Sequence, residues 1–272
     1  MITTDGKVQV KRYLARDEAA IANYISFGIS AAAEAVGDTS LGFEISRIPL
    51  SSVTYDYTNN YIVFKSEIPS DYAGAVYEAA LLYSPESSYD TIITTFDSVT
   101  ESWLTGGGAD ATYTTSNVRV GADAVILTAA ASGTSTVSLA NINLDLSNYL
   151  GADKILLAGY TGSNVSSFKI LFKTDVSNYY TLTFTPSAGY YIGSLTKSAA
   201  TVTGAPSWSN ITSIDITLTA TAGGSATFTA DAIRIQSAIS SDVLVAREVL
   251  PAPLTKVAGM VQEIELALGV TV

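Results

Sequence analysis

From about residue 89 to residue 237 the chain repeats one pattern: a short run of apolar residues alternating with Ser or Thr, then a break at Gly, Asn, Asp or Ser. "NVRVGADAVILTAA", "TSTVSLANINLDLSNYL", "DKILLAGYTG", "SSFKILFKTD", "YYTLTFTPS", "YYIGSLT" and "ITSIDITLTATAGGSATFTADAIRIQ" all follow it. Alternation of period two sends successive side chains to opposite faces of a strand, so each run carries one face for a core and one for solvent. With "FDSVTESWLTGGG" at its head, the stretch predicts eight or nine strands joined by short turns, a spacing that points to a sandwich or jelly roll. Residues 208–236 read as its closing strands, placed around a Gly-Gly turn.

The segments on either side differ. In "YLARDEAAIANYISFGI" the residues Leu14, Ile21, Ala22 and Ile25 fall near helical spacing, with Asp17 and Glu18 where the helix dipole favours acids, which predicts a helix over roughly 12–24. Short alternating runs follow, and Asn59-Asn60 between Tyr57 and Tyr61 is a hairpin signal because Asn tolerates positive φ. The closing "DVLVAREVLPAPLTKVAGMVQEIELALGVTV" returns to this character, and Pro251 and Pro253 confine it to an edge or a crossing loop. The expected organisation is therefore all-β: a β-sandwich base of residues 1–88 and 238–272 with one short N-terminal helix, and an inserted jelly-roll β-sandwich, 89–237.

Composition removes whole classes of chemistry. The chain has no Cys and no His, so thiolate nucleophiles, the Ser-His-Asp arrangement and the usual zinc sites are excluded. Its formal charge of −11 is spread along the sequence, leaving no basic patch for nucleic acid. No run has the length of a signal-peptide core or a membrane span, so neither is expected. Paired carboxylates are the catalytic option left, with Asp97, Glu101, Asp175 and Asp231 as candidates, but no two share a context that predicts a cleft. The expectation is a non-enzyme.

Binding has more to offer. Tyr is the commonest aromatic, 16 against 8 Phe and 2 Trp, and supplies a flat apolar ring with a hydroxyl. "NYYTLTF" and "GYYIGSL" place adjacent tyrosines on opposite strand faces. Tyr179 or Tyr180, and Tyr190 or Tyr191, should then face outward; Tyr180 and Tyr190 are chosen as that pair, forming either a sugar platform or ordinary cross-strand packing. Trp103 and Trp208 are expected in the core, and Thr217 and Thr219 on solvated sheet surface.

"FDSVTESW" and "TADAIRI" resemble the first and last strands of carbohydrate-binding-module jelly rolls, a similarity covering about 90–237. That resemblance implies a structural Ca²⁺ shared by Asp97 and Asp231, whose carboxylates suit a hard cation; the alternative is that Asp97 caps a turn and Asp231 faces solvent. The flanks, "KRYLARDEAAIANYISFGI", "DTSLGFEISRIPL", "NNYIVFKSEIPSDYAGAVYEAALL" and "LVAREVLPAPLTKVAGMVQEIELAL", resemble virion structural proteins of tailed phages, especially marine ones. This implies a component made in the bacterial cytoplasm and carried on the virion. It would dock to tail, baseplate or major capsid protein through the base, associate as a homo-oligomer, with a trimer favoured, and display the jelly roll outward as a fibre or adhesin for a host surface glycan. The alternatives are a capsid decoration protein and a glycan-binding or glycan-processing module.

Overall fold

The computed structural model describes residues 1–84, 91–103, 111–237 and 242–269. The chain is almost wholly β and divides into two compact units, Met1–Ser88 with Ser240–Val272, and Tyr89–Ile239. The expected junctions near 88 and 238, and 104–108 of the expected strand "FDSVTESWLTGGG", lie outside the described residues. Among the described residues no helix is long and apolar enough to cross a membrane.

The first unit begins with helix α1, Thr4–Leu14, earlier than the expected 12–24. Thr3 caps it by accepting from the Gly6 amide at 2.9 Å, Asp5 sits in the first turn, and Lys11 and Arg12 in the last, each in keeping with the helix dipole. Arg16 at φ 64 lies just past its end. The helix buries Gly6 and Gln9 while Leu14 is 73% exposed, so its docking face has no apolar period to read. Gly6 is needed there because a β-carbon would run into the Val245 backbone. Ala22 and Ile25 are buried instead in and before the first strand, and Glu18 pairs with Arg12 at 2.8 Å.

One antiparallel sheet of this unit has the order β17-β5-β1-β2, from Val243–Lys256, Gly74–Tyr83, Tyr24–Gly28 and Glu44–Pro49. The other has the order β18-β4-β3, from Gln262–Gly269, Tyr61–Ile68 and Ser52–Asp56. Ile25, Phe27, Phe64, Ile68, Leu81, Val245 and Leu266 belong to one core, each such side chain contributing roughly 1.5–3 kcal/mol by burial. Asn60 at φ 58 turns the β3–β4 hairpin, and Asp56 holds the turn by accepting from the Thr58 and Asn59 amides. Pro251 and Pro253 lie in edge strand β17, where the register with β5 breaks between Val249 and Leu254. Glu78 on β5, fully buried, accepts from the Ser30, Gly42 and Phe43 amides at 3.0–3.2 Å and from Arg247 Nε at 2.9 Å. Arg247 also reaches Asp38 at 2.8 Å.

The second unit is a sandwich of two antiparallel sheets. The six-stranded sheet runs β13-β10-β16-β8-β7, from Gly189–Thr196, Lys154–Thr161, Ala226–Gln236, Ala124–Ala129 and Ala111–Thr114, with β6, Thr91–Thr94, also paired to β16. The five-stranded sheet runs β14-β12-β11-β15-β9, from Thr201–Thr203, Tyr179–Phe184, Val165–Lys173, Ile211–Ala220 and Thr134–Leu144. The first strand of this unit is "TIIT", in the six-stranded sheet, rather than the stretch from Phe96, where positive φ and the Asp97 cap interrupt extension. Strands β15 and β16 flank the Gly223-Gly224 turn but enter opposite sheets, so Ile214, Ile216 and Leu218 and Phe228 and Ala230 belong to the same core. The Phe168 and Phe228 rings meet across it at 4.3 Å. Trp103 is fully buried and Trp208 packs half-buried against the same core.

Candidate functional site

Parity along each strand decides which side chains face out. On β11, Phe168, Ile170 and Phe172 are fully buried, leaving Ser167, Lys169, Leu171 and Lys173 on the outer side. On β12, Tyr180 shares the inward face with Leu182 and Phe184, so Tyr179 is the outward tyrosine. The Tyr180 ring stacks on Trp208, and its hydroxyl donates to the Pro206 carbonyl at 2.9 Å. Burial pushes that hydroxyl's pKa up.

Tyr190 lies in the other sheet, on its outer face, because its neighbour Tyr191 packs against the core. The structure therefore does not bring Tyr180 and Tyr190 together as a platform. The Tyr190 hydroxyl donates to Asp231, and the Arg119 guanidinium lies 3.5 Å over its ring. Asp231, fully buried beside a break in the β10–β16 register, also accepts from the Arg119 and Val120 amides at 3.0 and 3.3 Å. Burial pushes its carboxyl up to about 6, against the pull of these donors. Asp97 accepts from the Val99 and Ala122 amides at 3.0 and 2.9 Å.

Both aspartates thus grip the 119–122 segment, but through N–H and O–H donors. A calcium ion takes six to eight oxygen ligands. Among the described residues no three acidic, His or Cys side chains converge. Asp97 and Asp231 are thus engaged as acceptors for backbone amides, a role different from the calcium pair that the resemblance implies. The other carboxylates weighed as an acid–base pair are likewise engaged. Glu101 accepts from the Thr95 and Phe96 amides and Trp103 Nε1, and Asp175 caps the β11–β12 turn at Ser177 and Asn178.

The outer face of the five-stranded sheet is different. In register, Tyr179 stands opposite Lys173, Thr181 opposite Leu171 and Thr183 opposite Lys169. Ser213, Asp215 and Thr217 continue these rows on β15, and Thr136 and Ser138 on β9. Thr201 and Thr203 extend them on β14. Lys173 Nζ lies 2.8 Å from Asp215, and the Thr136 and Thr217 hydroxyls are 2.9 Å apart. Among the described residues, Tyr179, Thr183 and Thr219 side chains make no hydrogen bond within the protein. Sequence reasoning missed Arg119, which has no local signal because its partners lie in distant strands. It weighed Tyr179 against Tyr180 and chose Tyr180, where the parity of Leu182 and Phe184 in "YYTLTF" points to Tyr179.

No protein-family description and no curated protein matches the chain. Solved structures similar to it include the family 11 carbohydrate-binding module from Clostridium thermocellum in complex with a β-1,3-1,4-mixed-linked tetrasaccharide, 15% identical, covering 57% of this chain and 99% of that one, TM-score 0.42. The family 11 module of the cellulosomal cellulase Lic26A-Cel5E of the same organism is 16% identical over 56% of this chain and 97% of that one, TM-score 0.42. The glycoside hydrolase domain of Endo-D from Streptococcus pneumoniae R6 is 14% identical over 55% of this chain, which spans 21% of that structure, TM-score 0.34.

Proposed function

We propose that the unit Tyr89–Ile239 is a non-catalytic glycan-binding module, and that the outer face of its five-stranded sheet holds the glycan. One observation carries this reading: Tyr179, Lys173 and Asp215 form a contiguous group on a rigid sheet whose other outward positions are mostly hydroxyls. A tyrosine ring offers an apolar plane for a sugar ring, and charged groups make the stronger hydrogen bonds to its hydroxyls. The opposite sheet supports binding less well, because Tyr190, Arg119 and Asp231 already satisfy one another.

The other unit is then the carrier. Its four segments' resemblance to tailed-phage virion proteins supports a particle as the address, and immunogold labelling of virions with antibody against this chain tests that part separately. Binding itself is tested by retention of the full chain on a panel of neutral and acidic polysaccharides. Retention on at least one polymer is expected, and none on any would overturn the reading.

A further inference from the structure

We infer that the glycan held on this face is acidic, with Lys169 receiving its carboxylate or sulfate group. This rests on the glycan reading above and adds the sign of the ligand. Strand β11 is central in the order β14-β12-β11-β15-β9, so Lys169 stands in the middle of the sheet. Its cross-strand neighbours are Thr183 and Thr217, both hydroxyls, with no carboxylate directly opposite. Among the described residues the Lys169 side chain makes no ion pair and no hydrogen bond, while Asp215, the acid on this face, is taken by Lys173 at 2.8 Å.

The face therefore carries an uncompensated positive charge on a chain whose formal charge is −11. Lys169 lies four residues from Lys173, about 13 Å along the strand, and Lys173 is level with Tyr179. A polymer running along β11 with one ring on Tyr179 carries a later anionic group to Lys169. Two lysines are too few for a nucleic-acid surface, which needs many phosphate contacts. A protein partner would want a larger apolar anchor than Leu171 and Tyr179 supply. A polyhydroxylated acid matches both the hydroxyl rows and the charge.

The experiment is affinity electrophoresis of the full chain in gels holding alginate, polygalacturonate, chondroitin sulfate or neutral β-glucan, at low and high salt. Retardation is expected on an acidic polymer and should weaken with salt; the alginate and sulfate arms separate carboxylate from sulfate recognition. Lys169→Gln should weaken retention about tenfold, the scale of one charged hydrogen bond, and Lys169→Arg should keep it. Equal retention on neutral and acidic polymers, or a Lys169→Gln variant that binds acidic polymer as well as the wild type, overturns the acidic inference. It leaves the glycan reading standing if Tyr179→Ala still abolishes retention. No retention on any polymer overturns both.

Discussion

The Tyr180 ring stacks on Trp208 with centroids 3.9 Å apart and an interplanar angle of 8°. That contact divides the two adjacent tyrosines of β12 into one that supports the fold and one that is free to meet a ligand. Tyr180→Ala should cost about 3 kcal/mol, the scale of truncating a packed aromatic, because the stacking and the bond to Pro206 are lost together. Tyr179→Ala should leave the melt within about 0.5 kcal/mol, as for most surface substitutions. Chemical denaturation of the two variants beside the wild type checks this, and equal losses would contradict the assignment of faces.

In the other unit, Glu78 ties β5 to Arg247 on β17 while accepting three backbone amides. Removing Glu78 takes the buried one of Arg247's two carboxylate partners, leaving Asp38, and strips three backbone amides of their acceptor. Glu78→Ala should therefore destabilise that unit by about 3–5 kcal/mol, read as a lower denaturation midpoint. A midpoint unchanged from wild type would show that the pair is not closed in solution.

Asp231 links stability to pH. Its folded pKa of about 6 is raised above the ordinary carboxylate value, so its favourable contribution is full below about pH 4 and is lost as pH rises through about 6. Asp56 and Asp175 run the opposite way: Asn59 and Asn178 side chains hold their carboxyls below the usual range, so their contribution is lost on acidification. Comparing wild type with Asp231→Asn cancels these two. The wild type should lose on the order of 3 kcal/mol relative to the variant between pH 4 and pH 7.5. A constant difference across that range would contradict the burial argument.

Calcium gives a sharp negative. With Asp97 and Asp231 occupied by amide and hydroxyl donors, a chelator should not move the melting temperature of the wild type. A chelator-sensitive melt that Asp231→Ala removes would restore the calcium pair and require these donors to turn away.

The β-rich architecture was legible because alternation is a local property: each strand's inner and outer face is written within a few residues. The helix was misplaced because its docking face is Gly6 and Gln9, which carry no hydrophobic period. At the site, the parity of Leu182 and Phe184 was sufficient to turn Tyr180 inward, yet two identical neighbours made the choice easy to miss. Arg119 over Tyr190 could not be read at all, since it depends on a loop meeting strands that are far away in sequence. Lys169 looks like any strand lysine until the register shows that only hydroxyls stand opposite it.

The central claim is that one sheet face, and not the other, binds glycan. It is tested most directly by measuring retention of the full chain on its best polysaccharide for wild type, Tyr179→Ala and Tyr190→Ala side by side. Tyr179→Ala is expected to lose retention with its fold intact and Tyr190→Ala to keep it. Retention that survives Tyr179→Ala but disappears with Tyr190→Ala would contradict it and move the site to the six-stranded sheet.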